Sequence, residues 1–155
     1  MVTSMPVSFF LIDDDPDDIM LFREVVDDLD SKIHFYSATN GREALNLLNR
    51  ENFSMPSVIF LDLNMPKMDG RECLHEIRKS ESLGNIPVVI YTTSSHQKDI
   101  EETKKMGANG FISKPSSLRE LQSVLNAIAI SLPDNLQNTL NTVTTRQGLS
   151  KAVNG

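Results

Sequence analysis

Short runs of apolar residues alternate along this chain with segments of helical periodicity. The runs at residues 7–12, 57–61 and 86–91 are almost entirely apolar, which is typical of strands buried on both faces of a sheet. Weaker runs at residues 33–37 and 110–113 complete a set of five. Strands of this kind, separated by helices, form a parallel sheet covered on both faces, and right-handed crossovers make it doubly wound. The sequence therefore predicts a doubly wound α/β fold with five strands and five helices.

The last part of the chain differs in composition from the α/β region. We predict one domain over residues 1–132 and a C-terminal extension over residues 133–155, which is rich in Asn and Thr and has few charges. Leu136, Leu140 and Val143 fall at helical spacing. The extension is therefore either a short docked helix or a frayed tail, with fraying favoured from residue 144 onward.

Length, charge and cysteine usage exclude several classes of protein. A chain of 155 residues suits one domain, and its net charge of −6 argues against nucleic acid as a partner, because phosphate backbones need a basic patch. The single cysteine, Cys73, excludes an internal disulfide framework and a cysteine-based zinc site. The apolar runs are too short to span a bilayer, and the N-terminus lacks the pattern of a signal peptide. We expect a cytoplasmic protein that does not bind membranes.

Polar side chains that can carry chemistry follow four of the predicted strands. In an open parallel sheet the carboxyl ends of the strands meet at one edge, where ligands bind. The residues that reach this edge are Asp13, Asp14 and Asp15 after the first strand, Asp62 after the third, Thr92 and Thr93 after the fourth, and Lys114 after the fifth. Several carboxylates in one cleft repel each other unless a cation joins them, and a set of oxygen ligands favours Mg²⁺. The spacing leaves open which two of the first three acids face the metal.

This combination of groups predicts phosphoryl chemistry. Asp62 stands alone at the end of the central strand and is the best nucleophile for forming an aspartyl phosphate. Mg²⁺ would offset charge on the phosphoryl group, Lys114 would contribute a point charge, and Thr92 would contribute a hydrogen-bond donor.

These residues make the chain resemble the receiver domains of two-component response regulators, the CheY-like family. The resemblance covers residues 7–130 and rests on four motifs in order along the chain. They are Leu-Ile-Asp-Asp-Asp at 11–15, Leu-Asp-Leu-Asn-Met-Pro at 61–66 with Asp69-Gly70, Tyr-Thr-Thr at 91–93, and Lys-Pro at 114–115. It implies a flavodoxin-like (βα)5 fold with strand order 2-1-3-4-5. Residues 69–72, 86–89 and 92–95 further resemble the stand-alone regulators that partner bacterial phytochrome kinases, which have a C-terminal extension and can form homodimers.

The resemblance also implies a role for each matching residue at the metal and phosphorylation site. Asp62 is implied as the phosphorylated residue. Asp13 and Asp14, with Asp62, are implied as the ligands of Mg²⁺, and Asn64 is implied to contribute its backbone carbonyl.

Three further residues are implied as the parts that respond to phosphorylation. Thr92 is implied to move toward the phosphoryl group and to donate a hydrogen bond to it. Lys114 is implied to pair with the phosphoryl group, and the Lys114–Pro115 peptide bond is implied to be cis. Phe111 occupies the position of the switch aromatic residue, which is often Tyr in the family. The surface that changes is expected around the helix at 99–106, the strand at 110–113 and the last helix.

The function implied is that of a phosphoacceptor switch and not an enzyme acting on external substrates. A histidine kinase or a phosphotransfer protein would donate the phosphoryl group, and a downstream protein target that the sequence does not identify would read it. Three alternatives each fail at a particular feature. A phosphatase of the haloacid dehalogenase kind needs a second acid where this chain has Asn64. A flavodoxin-like electron carrier needs a Ser/Thr/Gly-rich loop after the first strand, and a degenerate receiver would lack Asp62, Thr92 or Lys114.

Overall fold

A computed structural model describes residues 6–29 and 32–144 of the chain. Five parallel strands form one sheet in the order β2-β1-β3-β4-β5, which confirms the predicted fold. The strands are β1 (Ser8–Ile12), β2 (His34–Ala38), β3 (Val58–Leu61), β4 (Val88–Thr92) and β5 (Gly110–Ser113). The helices between and after them are α1 (Pro16–Leu29), α2 (Gly41–Leu48), α3 (Gly70–Lys79), α4 (Gln97–Lys105) and α5 (Leu118–Ser131).

Alternating side chains of the buried strands build two separate cores, one on each face of the sheet. Phe10 and Ile12 of β1 point to the face covered by α2, α3 and α4, whereas Phe9 and Leu11 point to the face covered by α1 and α5. Both faces of β1 are fully buried. This explains why the central strands are apolar at every position instead of alternating with polar residues.

Polar side chains fix the points at which several helices begin. Asp15 accepts a hydrogen bond from the backbone N–H of Asp17 at 2.9 Å and so caps α1. Ser117 caps α5 by accepting from the N–H of Glu120 at 3.1 Å. These caps set where each helix leaves the carboxyl edge of the sheet.

Gly70 begins α3 at a point where the chain has no room for a side chain. A Cβ atom at this position would collide with the backbone carbonyl of Asp62 and lie 2.6 Å from the Cα of Leu63. The Gly70 N–H donates to the Leu63 carbonyl at 3.0 Å. Glycine is therefore needed to bring α3 directly behind the loop that carries Asp62.

The C-terminal extension is helical over residues 136–144, the part of it that the structure describes as regular. Leu136, Leu140 and Val143 are buried in the core on the α1/α5 face. The side chain of Leu140 lies against Gly110, and the Thr144 hydroxyl is 3.2 Å from both the N–H and the carbonyl of Phe111. The segment thus covers the outer edge of β5, the last strand of the sheet. Fraying was expected from residue 144 onward, but Thr144 itself is helical and bonded to Phe111. The rest of that expectation concerns residues 145–155, which fall outside the described residues.

One expectation about the backbone is wrong. The Lys114–Pro115 peptide bond is trans, and Leu132–Pro133 is the cis bond found among the described residues. Bonds preceding proline differ by only about 0.5–1 kcal/mol between the two isomers, so local packing and not the sequence pair decides between them.

Candidate active site at the carboxyl edge of the sheet

The ends of four strands bring the predicted site residues to one edge. The backbone pairing of the sheet continues past β1 and β3, because the Asp13 N–H donates to the Ala38 carbonyl and the Asp62 N–H donates to the Ile12 carbonyl, both at 3.0 Å. In the same way the Lys114 N–H donates to the Thr92 carbonyl at 2.8 Å. The site residues are therefore held by the sheet itself and not by loose loops.

Three carboxylates form a compact acidic cluster. Oxygen atoms of Asp13, Asp14 and Asp62 all lie within 4.8 Å of one another. Asp13 and Asp62 are buried, whereas Asp14 is exposed. The side chain of Asp15 is not part of this cluster, because it caps α1. The structure thus separates the three consecutive acids, which the spacing alone could not do.

Burial among these groups disfavours the charged form of Asp13. Burial, and to a smaller extent the nearby charge of Asp62, raise the pKa of its carboxyl, whereas Lys114 and the Asp15 N–H lower it. The net result is a rise from 3.8 to about 6. Its Oδ1 accepts from the Asp15 N–H at 2.9 Å. Its Oδ2 lies 2.8 Å from the Lys114 Nζ but has no aligned hydrogen bond. This buried oxygen therefore has an ion-pair partner but no directed hydrogen bond.

Lys114 contacts three carboxylates at once. Its Nζ lies 2.8 Å from Asp13, 2.7 Å from Asp18 and 3.5 Å from Asp62. Burial lowers the pKa of this ammonium, but the hydrogen bonds and charges of the acids outweigh burial and raise it above its ordinary range. The Nζ also lies 5.7 Å from the centre of the Tyr91 ring. Lys114 is thus a permanently charged group at the edge of the cluster.

Thr92, Asn64 and Phe111 surround this centre in different ways. Thr92 is fully buried and its hydroxyl has no hydrogen-bond partner. Asn64 is exposed, and its N–H donates to the Asp62 carboxylate at 3.3 Å. Phe111 is buried in the core beside β4, with its backbone groups held by Thr144. An unpartnered buried hydroxyl normally costs free energy, so Thr92 would gain from an acceptor placed beside it.

One contact at the centre of the site and one network beside it could not be predicted from the sequence. Asp18 accepts a hydrogen bond from the Lys114 Nζ at 2.7 Å, although the two residues lie 96 positions apart in the sequence. The one sequence signal for this contact is that Asp18 lies in the first turn of α1, a few residues after the acids that follow β1.

The network joins α3 to the loop after β4. Arg71 contacts Asp99 at 2.6 Å and Glu102 at 2.5 Å, and the Ser94 hydroxyl donates to Asp99 at 2.5 Å. The Ser113 hydroxyl donates to the Ser94 carbonyl at 2.9 Å. The loop after Thr92 is therefore tied to both neighbouring elements.

The donor atoms of the cluster fit a hard divalent cation. They are all oxygens, two of the three side chains are buried, and the Oδ2 of Asp13 lacks an aligned donor. Within residues 6–29 and 32–144, no other group of three or more acidic, His or Cys side chains is arranged to hold a metal ion. Cations such as Mg²⁺ prefer this donor set.

The fold and this edge together define a flavodoxin-like, CheY-type α/β domain. Residues 9–126 match the family described as the response regulator receiver domain, so the chain belongs to that family. This confirms the resemblance found in the sequence.

Several relatives agree with this assignment. The response regulator Rcp1 of Synechocystis sp. (strain ATCC 27184 / PCC 6803 / Kazusa) is 32% identical over 127 residues, which are 79% of this chain and 86% of Rcp1. The phosphorylated cyanobacterial phytochrome response regulator RcpA is 34% identical with a TM-score of 0.75, over 82% of this chain and 94% of RcpA. The Mn²⁺-bound form of Rcp1 has a TM-score of 0.70 and 32% identity, over 82% of this chain and 94% of that one. The chain is therefore similar to phytochrome response regulators over most of its length.

None of the helices in the described residues has the length and apolar character needed to cross a membrane.

Proposed function

We propose that this protein is a phosphoacceptor switch of two-component signalling, in which Asp62 accepts a phosphoryl group from a histidine kinase or a phosphotransfer protein. Membership of the receiver family supports the signalling role. The observation that carries the proposal is the meeting of Asp62 with a cation-binding acidic cluster, a charged lysine and an unpartnered buried hydroxyl. These are the groups that phosphoryl transfer to a carboxylate requires.

In the proposed step, a carboxylate oxygen of Asp62 attacks the phosphorus of the donor. The new O–P bond forms as the bond between phosphorus and the donor imidazole nitrogen breaks. The electron pair of the broken bond stays on that nitrogen, which takes up a proton. The ammonium of Lys114 neutralises charge on the phosphoryl oxygens, and the Thr92 hydroxyl gains an acceptor that it lacks in the resting protein.

We propose Mg²⁺ as the cation, held by the side chains of Asp13, Asp14 and Asp62 and by the backbone carbonyl of Asn64. When bound, it would offset the charge that builds up on the phosphoryl group. The raised pKa of Asp13 supports a requirement for a cation, because burying a charged carboxylate costs free energy unless a partner of opposite charge is present.

The output of the switch is proposed to be protein contact through the face built from α4, β5 and α5. Thr92 and Phe111 would relay the change, since Thr92 ends β4 and Phe111 lies on the neighbouring strand. On the α4 side of this face, an open groove of about 670 Å³ lies between α4, β5 and residues 136–144. A downstream protein target or a second copy of the chain would bind there, and the net charge of −6 disfavours nucleic acid.

Two further parts of the proposal follow from the role as a switch. The protein would assist its own phosphorylation and slow dephosphorylation without turning over an external substrate. It would act in the cytoplasm, where kinase domains have access to ATP.

Intact-mass spectrometry after incubation with acetyl phosphate tests the proposal. We expect a gain of one phosphoryl group that requires Mg²⁺ and is abolished in Asp62→Asn. Asp17→Asn is the matched control, because it removes an exposed carboxylate and should leave the gain unchanged. A wild-type protein that gains no mass, or an Asp62→Asn variant that gains as much as the wild type, would contradict it.

A further inference from the structure

We propose that Asp18 is a positioning residue that holds Lys114 away from Asp62 in the resting protein and so slows phosphorylation. The inference rests on the proposed function, because it concerns how the lysine reaches the phosphoryl group. Asp18 lies in the first turn of α1 and belongs to none of the four sequence motifs.

The distances at Lys114 carry the argument. Its Nζ is 2.7 Å from Asp18 and 2.8 Å from Asp13, but 3.5 Å from Asp62. The contact with Asp18 is an aligned hydrogen bond, whereas the Asp13 oxygen that faces Nζ has none. Of the two acids that hold this ammonium most closely, one, Asp18, lies outside the cluster, and both are closer to Nζ than Asp62 is.

The surroundings make this bond stronger than an ordinary surface ion pair. The Lys114 side chain is 12% exposed and that of Asp18 is 30% exposed, so water screens the pair only partly. Charge-assisted hydrogen bonds are also stronger than neutral ones. When a phosphoryl group arrives on Asp62, Lys114 must weaken this bond in order to donate fully to the new oxygens.

A purely structural role makes a different prediction. An acid in the first turn stabilises a helix through its dipole, and Asp17 shares that position. Asp17 is exposed, and its backbone and not its side chain is used in the α1 cap. Comparing the two acids therefore separates the contact with Lys114 from the general effect of one negative charge near the site.

The test measures the rate of mass gain with acetyl phosphate at saturating Mg²⁺. This small donor avoids any effect of the α1 substitution on docking of a kinase. We expect Asp18→Asn to react about three- to tenfold faster than the wild type, the range set by one partly screened charge-assisted bond. Asp17→Asn should change the rate less than about twofold, since surface charges separated from the site act weakly. Asp18→Glu should restore a rate close to that of the wild type.

A variant that lacks Lys114 tests whether the effect of Asp18→Asn acts through this lysine. In Lys114→Met, adding Asp18→Asn should leave the rate unchanged, because the lysine that Asp18 restrains is gone. Thermal melts of each variant check that it is folded.

Three outcomes would overturn the inference. Equal rates for Asp18→Asn and Asp17→Asn would refute it while leaving the proposed function intact. An acceleration that persists in the Lys114→Met background would do the same. Failure of every variant, including the wild type, to gain mass would refute the proposed function and this inference together.

Discussion

Replacing Asp13 by Asn should stabilise the metal-free protein, although it removes a residue of the proposed site. Asp13 is fully buried, and its pKa of about 6 means that the folded protein holds this carboxylate ionised at a cost. The unfolded chain pays no such cost, because its pKa there is the ordinary 3.8. An Asn side chain keeps the Oδ1 atom that accepts from the Asp15 N–H and loses the charge.

The size of the effect follows from the two pKa values. The difference between 3.8 and about 6 corresponds to about 3 kcal/mol of lost stability at neutral pH. A carboxyl group whose pKa is raised on folding contributes stability that is fully present below the unfolded pKa and is lost as the pH rises through the folded pKa. The wild type should therefore lose this free energy between pH 4 and pH 7. Since the new amide N–H₂ would face Lys114, we expect a net gain of about 2 kcal/mol for the variant at pH 7.

Urea denaturation in EDTA measures this difference. The advantage of Asp13→Asn should fall to roughly a third at pH 5 and be gone by pH 4, because the cost of ionising Asp13 falls with pH while the loss of about 1 kcal/mol at Lys114 remains. Adding Mg²⁺ at about 100 times its dissociation constant should stabilise the wild type by about 2.7 kcal/mol and the variant much less. A variant that is less stable than the wild type at pH 7, or an advantage that does not change with pH, would refute the reasoning.

Three other substitutions test separate parts of the structure. Leu140→Ala should lower the free energy of unfolding by about 2–5 kcal/mol, because Leu140 is buried in the core and not in a frayed tail. A loss below about 0.5 kcal/mol in urea denaturation would contradict the docking of residues 136–144. Gly70→Ala should slow phosphorylation by acetyl phosphate, since the new methyl group would displace the backbone of Asp62; a wild-type rate would show that the approach is not tight. Burial raises the pKa of the Cys73 thiol from 9.0 to about 12, so the thiol ionises in the unfolded chain at a lower pH than in the folded protein and stability falls above pH 9. Between pH 7 and pH 10 the free energy of unfolding of the wild type should therefore fall by about 1.4 kcal/mol more than that of Cys73→Ala, and equal losses would contradict the burial.

The sheet and the placement of its site residues were predictable from the sequence. The strand at 110–113 has the predicted bounds, because the apolar run that marks it is a local signal. Right-handed crossovers then bring strand ends to one edge, whichever residues they carry. Asp62 and Lys114 could therefore be placed together even though they lie far apart in the chain.

The contacts that refine the site could not be predicted in this way. The Asp18–Lys114 bond spans 96 positions, and the bonds between Phe111 and Thr144 span 33. Each depends on the direction of one side chain after the helices have packed, which periodicity does not encode. The Lys114–Pro115 isomer was likewise undetermined, since the two forms differ little in free energy.

The assignment of Asp62 as the phosphorylated residue is the central claim, and chemical trapping tests it most directly. Borohydride reduces an aspartyl phosphate to homoserine, so the acceptor can be located by peptide mass spectrometry after treatment with acetyl phosphate and Mg²⁺. We predict homoserine at residue 62 and at no other acid, with none formed when Mg²⁺ is withheld. Homoserine at Asp13 or Asp14, or phosphorylation that leaves residue 62 unmodified, would contradict the account.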